Sequence, residues 1–406
     1  MFKQALKTQE HKISKELAKN IALHAQGLAP NSAFGTGKTG ALKAIQHLGY
    51  LQLDTLAVVT RAHHHTLYTR TAAYKETHLD QLLKERSIFE YWAHAASYLP
   101  IEDYRFTFLR KEEFLSGRSH WFKKDKKVMK HVLDRIKTEG ALQAKDFESE
   151  KQHGSWFDWK PAKIALGNLF MEGSLMISER KGFHKVYDLT ERVLPAEINI
   201  TKPTITEYAE FLIKSTLRAH GFASAKEIAY LRKGMLPHVQ QKLKQLVQQN
   251  LLIEIQVEGV KEKQFALPEV IETKFKTKAA QVSLLSPFDN AVIMRNRLKQ
   301  VFDFDYGVEC YLPEHKRKFG YFCLPILYGN NFVGRLDPKA DRQKKEFIIK
   351  SLHIENSPSD MDDFLASLSV SLKQFAAFHD CTKITIEKTF PAKIKGALKS
   401  ALLKEM

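Results

Sequence analysis

Cysteine is nearly absent from this chain: Cys310, Cys323 and Cys381 are the only three in 406 residues. Three scattered thiols exclude a disulfide framework and a cysteine-built zinc site. Long apolar runs are absent too; none approaches the roughly 18–20 residues needed to span a bilayer. The N-terminal stretch MFKQALKTQEHKISKEL lacks the apolar core of an export signal. Negative charge is the other shortage, with 46 Asp+Glu against 63 Lys+Arg and a formal net charge of +17. Such an excess favours a polyanionic partner. A cytoplasmic protein partnered by nucleic acid is expected, with an anionic membrane or RNA supported by charge alone.

Two tempting motifs are incomplete. SAFGTGKTG (32–40) ends like a phosphate-binding loop, which requires G-x-x-x-x-G-K-[ST] after a strand. Ser32 stands where the first glycine belongs, and the preceding ISKELAKNIALHAQGLA has helical rather than strand spacing. The stretch reads as a connection between helices, so no nucleotide is expected. His63-His64-His65 suggests a metal. Consecutive residues on a helix fan apart by about 100° each, so three cannot converge on one ion. No H-E-x-x-H is present either, and neither metal nor cofactor is expected.

What is present is a hydrophobic content of 44%, enough for real cores, arranged in repeated patterns. Helices are predicted over about 14–28 and over TGALKAIQHLG, followed by YLQLDTL as a short strand or extended segment, then a helix in VVTRAHHHTLYTR. The charged run 111–126 reads as a solvated helix face or linker. From 127 to 200 come three helices, the first ending at Gly140, then a hairpin around Arg180-Lys181-Gly182. Residues 204–268 repeat that order, with Ser224 and Glu227 spaced as a capping box and a hairpin turn at Glu258-Gly259. Three helices and a hairpin make a winged helix. Residues 281–356 suggest a small β-barrel or sandwich, followed by helices near 358–378 and 391–404.

Winged helices often dock on DNA, and the third helix of the 204–268 unit carries His238, Gln240, Gln241, Lys242, Lys244 and Gln245. An ordinary solvated face reads the same way. His315, Lys316, Arg317 and Lys318 form a predicted basic hairpin tip, either a solubilising turn or a finger on phosphates. In Gln52-Leu53-Asp54, residues i and i+2 of an extended chain share a face. An amide and a carboxylate converging there can hold water and stabilise a neighbouring cation. Any half-buried strand shows the same alternation.

Three stretches resemble the winged-helix interstrand-crosslink DNA glycosylases, the AlkZ and YcaQ/AlkX group, with the YcaQ/AlkX branch nearer. They are LQLDTLAVVTRAHHHTLYTR (51–70), FEYWAHAASYLP (89–100) and the long segment from SPFDNAVIMRNRLKQ to VGRLDPKADR (286–342). RKGFHKVYDLTERVLP (180–195) supports them. The resemblance implies an α+β chain of tandem winged-helix modules and a small C-terminal β-barrel around a C-shaped, concave DNA-binding surface. The implied divisions are 1–126, 127–200, 201–280 and 281–406. It also implies a monomeric repair enzyme for double-stranded DNA, hydrolysing N-glycosidic bonds of N7-alkylated purines and unhooking crosslinks with water as nucleophile. That group's signature is Gln-Φ-Gln in one branch and Gln-Φ-Asp in the other, and Gln52-Leu53-Asp54 matches the second. Gln52 and Asp54 are then catalytic. Arg61, His64, Arg70 and His94 become candidate DNA contacts, and Glu90, Tyr91 and Trp92 candidate supports of the site. Tyr91 and Trp92 also read as core, and Glu90 as an arginine's partner. A winged-helix transcription regulator without catalysis is the alternative.

Overall fold

A computed structural model describes residues 11–29, 34–118, 123–147, 159–273, 275 and 281–404. The position of Ser32 lies outside these. The helices follow from capping and periodicity. Ser14 accepts from the Leu17 amide at the start of Lys15–Ala25, and the helix Gly37–Leu48 stops at Gly49 in the left-handed region, φ 78°. Helix thus precedes helix around Gly37, and Lys38 pairs with Glu85. The capping box of Ser224 and Glu227 is formed.

One order of elements occurs three times: helix, two-residue strand, short helix, helix, hairpin. It runs from Gly37–Leu48 through Leu51–Gln52 to the hairpin Ile88–Trp92 and Ala96–Pro100. It recurs from Lys126–Glu139 to Leu175–Lys181 and His184–Leu189, and from Ile205–His220 to Ile253–Val257 and Gln264–Ala266. In each, the two-residue strand pairs with the hairpin, making a three-stranded antiparallel sheet. The third sheet gains His11–Ile13 as a parallel edge strand. Two-residue strands are too short to show periodicity, which is why residues 142–143 and 222–223 do not read as strands.

The expected C-terminal barrel is not closed. Its five strands lie in the order Val282–Leu284, Leu324–Tyr328, Asn331–Asp341, Glu346–Ile354, Lys383–Phe390, and among the described residues the two edge strands do not pair. The last strand runs parallel to its neighbour, so it needs a crossover. The helix Met361–Phe378 supplies it and buries Phe364, Leu368, Leu372 and Phe375 in the same core as Leu336, Phe347 and Leu352. A helix, not a closing strand, covers the face. The basic segment is not a hairpin tip either. It is a 3₁₀ turn, Glu314–Lys316, inside a loop between the helix Arg295–Phe302 and the strand Leu324–Tyr328. Among the described residues no helix is long and apolar enough to cross a membrane.

The units are not separate beads. One apolar cluster runs from Phe34 to Val193 and joins the first two repeats. Val59 and Ala62, from the first repeat, belong to the core of the C-terminal sheet. The deepest polar link is Arg70 with Asp289, both side chains fully buried. Two bonds of 2.7 Å join the guanidinium to both carboxylate oxygens. Arg70 also donates to Gln26 O at 2.7 Å and Thr66 O at 3.1 Å. The expected DNA contact at Arg70 is therefore corrected: its charge is consumed internally. Breaking one side of such a pair strands a buried charge. Arg70→Met is expected to cost roughly 3–5 kcal/mol of unfolding free energy in urea. Lys130→Ala, which removes the exposed pair with Asp134, should leave the midpoint almost unmoved.

Candidate active site

Leu51 and Gln52 pair with Tyr98 and Ser97, and the Leu53 amide extends the ladder to Ala96 O at 2.8 Å. Leu51 and Leu53 are buried in the first core. The strand ends there because the Asp54 carboxylate captures the Leu56 amide at 2.6 Å, an aspartate turn competing with the ladder. The chain then crosses to the C-terminal sheet: Val58 O accepts from the Ala340 amide at 3.3 Å, and Val59 O from Arg342. Asp54 thus stands, half-buried, at the seam between two sheets. Burial pushes its carboxyl up, against the opposing effect of the Leu56 and Thr55 amides.

Gln52 is nearly buried, and its Oε1 accepts from His94 Nε2 at 2.8 Å. Burial, then the Arg232 charge, pushes the His94 imidazole down to about 4. A neutral ring donating through Nε2 leaves the Gln52 amide group free to donate. Tyr50 meets the His94 ring edge-on at 4.9 Å and holds it. The two polar side chains of the motif take separate partners: Gln52 faces His94, and Asp54 caps the turn.

The remaining candidates separate by burial. Arg61 starts the helix Ala62–Tyr68 and lies over the Phe183 ring at 3.9 Å. Arg180 lies near the same ring at 4.2 Å. Arg180 also reaches Glu90 at 2.8 Å, and Lys185 reaches it at 2.6 Å. Burial alone would raise the Glu90 carboxyl, but Lys185 and Arg180 outweigh it and the net direction is down. Glu90 is an anchor for the hairpin 175–189. Tyr91 donates to Met171 O at 2.5 Å within the core. Arg110 lies 5.2 Å from the Trp92 ring. His64 is turned inward, with Nδ1 2.8 Å from the Tyr74 hydroxyl, which corrects its reading as a DNA contact.

His315, Lys316 and Lys318 are exposed and Arg317 partly so. Their loop is firmly mounted. One Glu309 carboxylate accepts from the amides of Lys318, Phe319 and Gly320 at 3.1, 2.9 and 3.1 Å. Asp337 accepts from Tyr321 and Phe322, both at 2.9 Å. A side chain at Gly320 would strike that Asp337 carboxylate. The Asp54 charge is felt in this loop: burial and then that charge push up the Cys310 thiol. Glu309, Asp337, Arg232 and Arg180 escape sequence reading because no local pattern marks a residue whose partner is distant. Among the described residues, no group of His, Cys, Asp and Glu is arranged to hold a metal.

A family model described as "DNA glycosylase AlkZ-like" matches residues 45–378. Among solved structures, the chain is similar to the Streptomyces sahachiroi DNA glycosylase AlkZ, with a TM-score of 0.64 and 15% identity over 93% of this chain and 100% of that one. At that identity the likeness is one of fold.

The electrostatics of Asp54 yield a test. A carboxyl raised in the folded state binds its proton more tightly there than in the unfolded chain, so folding stability falls as pH rises from the unfolded value near ~3.9 through the folded one. Asp54→Asn keeps the acceptor for Leu56 and removes the charge. It is expected to raise the melting temperature at pH 7, with the advantage shrinking as pH falls toward ~4. A variant less stable than the parent at pH 7 would contradict the burial cost assigned to this carboxylate.

Proposed function

The chain belongs to the AlkZ-like DNA glycosylase family, a DNA repair glycosylase acting on DNA, and on that premise we propose a substrate and a mechanism. The substrate class is N7-alkylated purines, including those joined in interstrand crosslinks. The observation that carries the reading is Asp54: a half-buried carboxylate at the seam of two sheets, two residues along the chain from an amide oriented by a neutral imidazole. The pattern Gln52-Leu53-Asp54 aligns the chain with the YcaQ/AlkX branch.

An N7-alkylpurine is already cationic and leaves without a strong general acid. The C1′–N9 bond breaks, its electron pair passes to the base, and an oxocarbenium-like sugar remains. Asp54 stabilises that charge, and does so more strongly where water is partly excluded. It then accepts hydrogen bonding from the incoming water and takes its proton as oxygen bonds to C1′. Gln52 donates from its amide to position the water or the sugar. No amine nucleophile takes part. A crosslinked base cannot easily be swung into a closed pocket, and an open, concave surface accommodates it. We read the three repeats as winged helices within 1–126, 127–200 and 201–280, with the C-terminal sheet unit at 281–406, acting as a monomer. Exposed Lys316 and Lys318, with partly exposed Arg317, supply phosphate contacts.

Single-turnover assays on duplex DNA containing N7-methylguanine, followed by alkaline cleavage, should reveal abasic sites. Asp54→Asn should slow release by ~10²-fold or more with DNA affinity nearly intact, and Gln52→Ala should cost less. Borohydride should trap no enzyme–DNA adduct. Intact DNA after incubation with the folded protein would favour a purely regulatory binder. DNA affinity should fall steeply with salt, and replacing Lys316, Arg317 and Lys318 by Ala should flatten the log–log slope by more than about one unit. An unchanged slope would remove this turn from the interface.

A further inference from the structure

We propose that Tyr311 and Leu312 form an apolar wedge that enters the DNA stack beside the target nucleotide and opens that base step for Asp54. The proposal rests on the glycosylase reading above. Large apolar side chains at the surface are usually scattered singly. Here Tyr311 is 70% exposed and Leu312 39%, and they are the one adjacent pair among the exposed large apolar residues described.

Their mounting makes that exposure functional rather than a loose loop end. The Leu312 amide donates to Glu309 O at 2.9 Å, closing a turn at the tip. Arg317 Nε donates to Leu312 O at 2.9 Å, and its guanidinium lies 4.8 Å from the Tyr321 ring. Behind the tip, buried Arg335 lies 3.8 Å from the Phe319 ring and is fixed by Glu355 at 2.7 Å. The backbone from Lys318 to Phe322 is held by the Glu309 and Asp337 carboxylates. A rigid stalk therefore presents a ring and a branched aliphatic group to solvent.

Two further features select DNA as the occupant. Beyond Pro313 and Glu314, the exposed Lys316 and Lys318 follow in the same loop, placing positive charge where a strand's phosphates would pass. The stalk also lies within electrostatic reach of Asp54. Apolar side chains flanked by cations are how proteins part base steps, the rings replacing lost stacking while the charges hold the backbone. A crosslinked nucleotide cannot rotate out of the helix, so opening the neighbouring step is the available route to its sugar. Tyr311 and Leu312 are thus positioning residues.

The test uses the full-length protein and duplexes carrying one N7-methylguanine, with 2-aminopurine placed in turn at each neighbouring position. Wild-type protein should raise the 2-aminopurine fluorescence at one flanking step by about twofold or more. Tyr311→Ala/Leu312→Ala should abolish the rise and slow single-turnover release about tenfold while Kd changes much less. Tyr311→Phe should retain the rise, because stacking needs the ring and not the phenol. Circular dichroism melts confirm that each variant is folded. No rise at any position with bound wild-type protein, or an equal rise with the double alanine variant, overturns the wedge. Base release is read separately in the same samples. Unstacking without base release would leave the wedge standing and remove the glycosylase mechanism; release without unstacking does the reverse.

Discussion

The bidentate pair of Arg70 with Asp289 fixes the geometry on which the proposed site depends. It ties the end of the helix Ala62–Tyr68, the helix Lys15–Ala25 through Gln26, and the SPFDN segment into one buried knot. Asn290, the next residue, donates to Tyr50 O at 3.1 Å, two residues before Gln52. The first repeat and the C-terminal sheet are thereby locked together on both sides of Asp54. A pair of opposite charges has no strong direction on its own, but a bidentate fork of fixed bonds does. That directionality sets where the seam falls.

Carboxylates repeat this role elsewhere. In a chain with a net charge of +17, Glu90, Asp289 and Asp337 are turned inward and buried. Each holds backbone amides or cations from a distant segment: Glu90 the hairpin 175–189, Asp337 the loop before Leu324, Asp289 the helix ending at Tyr68. Asp54 differs from the ion-paired anchors among these. Like Asp337, and unlike Glu90 and Asp289, it has backbone amides and no cation in an ion pair, and burial leaves it raised; unlike Asp337 it is half-buried at the seam of the two sheets. An anion held without a counter-charge is suited to meet a positive charge that arrives with the substrate.

Local patterns made much of this legible. Apolar spacing and caps predict the helices Lys15–Ala25, Gly37–Leu48, Lys126–Glu139 and Ile205–His220 to within a few residues, because helix formation is governed by neighbours three and four apart. The hairpins at 175–189 and 253–266 follow from alternation around a turn. The motif Gln52-Leu53-Asp54 stood out by its polar–apolar–polar order and by resemblance. The first occurrence of the repeat, in residues 37–100, did not stand out from spacing, because its hairpin lies among aromatic residues.

Tertiary structure alone decided the rest. Arg70 and Lys316 are both basic residues in matched stretches, yet one is fully buried and the other exposed. Nothing within a few residues of either separates them, since the partner that claims Arg70 is Asp289. The open C-terminal sheet replaced the expected barrel because the strand Lys383–Phe390 returns parallel, beyond a helix, on the edge of Glu346–Ile354. Charge, helix periodicity and the local order of Gln52, Leu53 and Asp54 belong to the sequence, being set by residues close in the chain. The burial of Arg70, the raised carboxyl of Asp54 and the exposure of Tyr311 belong to the fold. Solvation and pairing depend on what packs from hundreds of residues away.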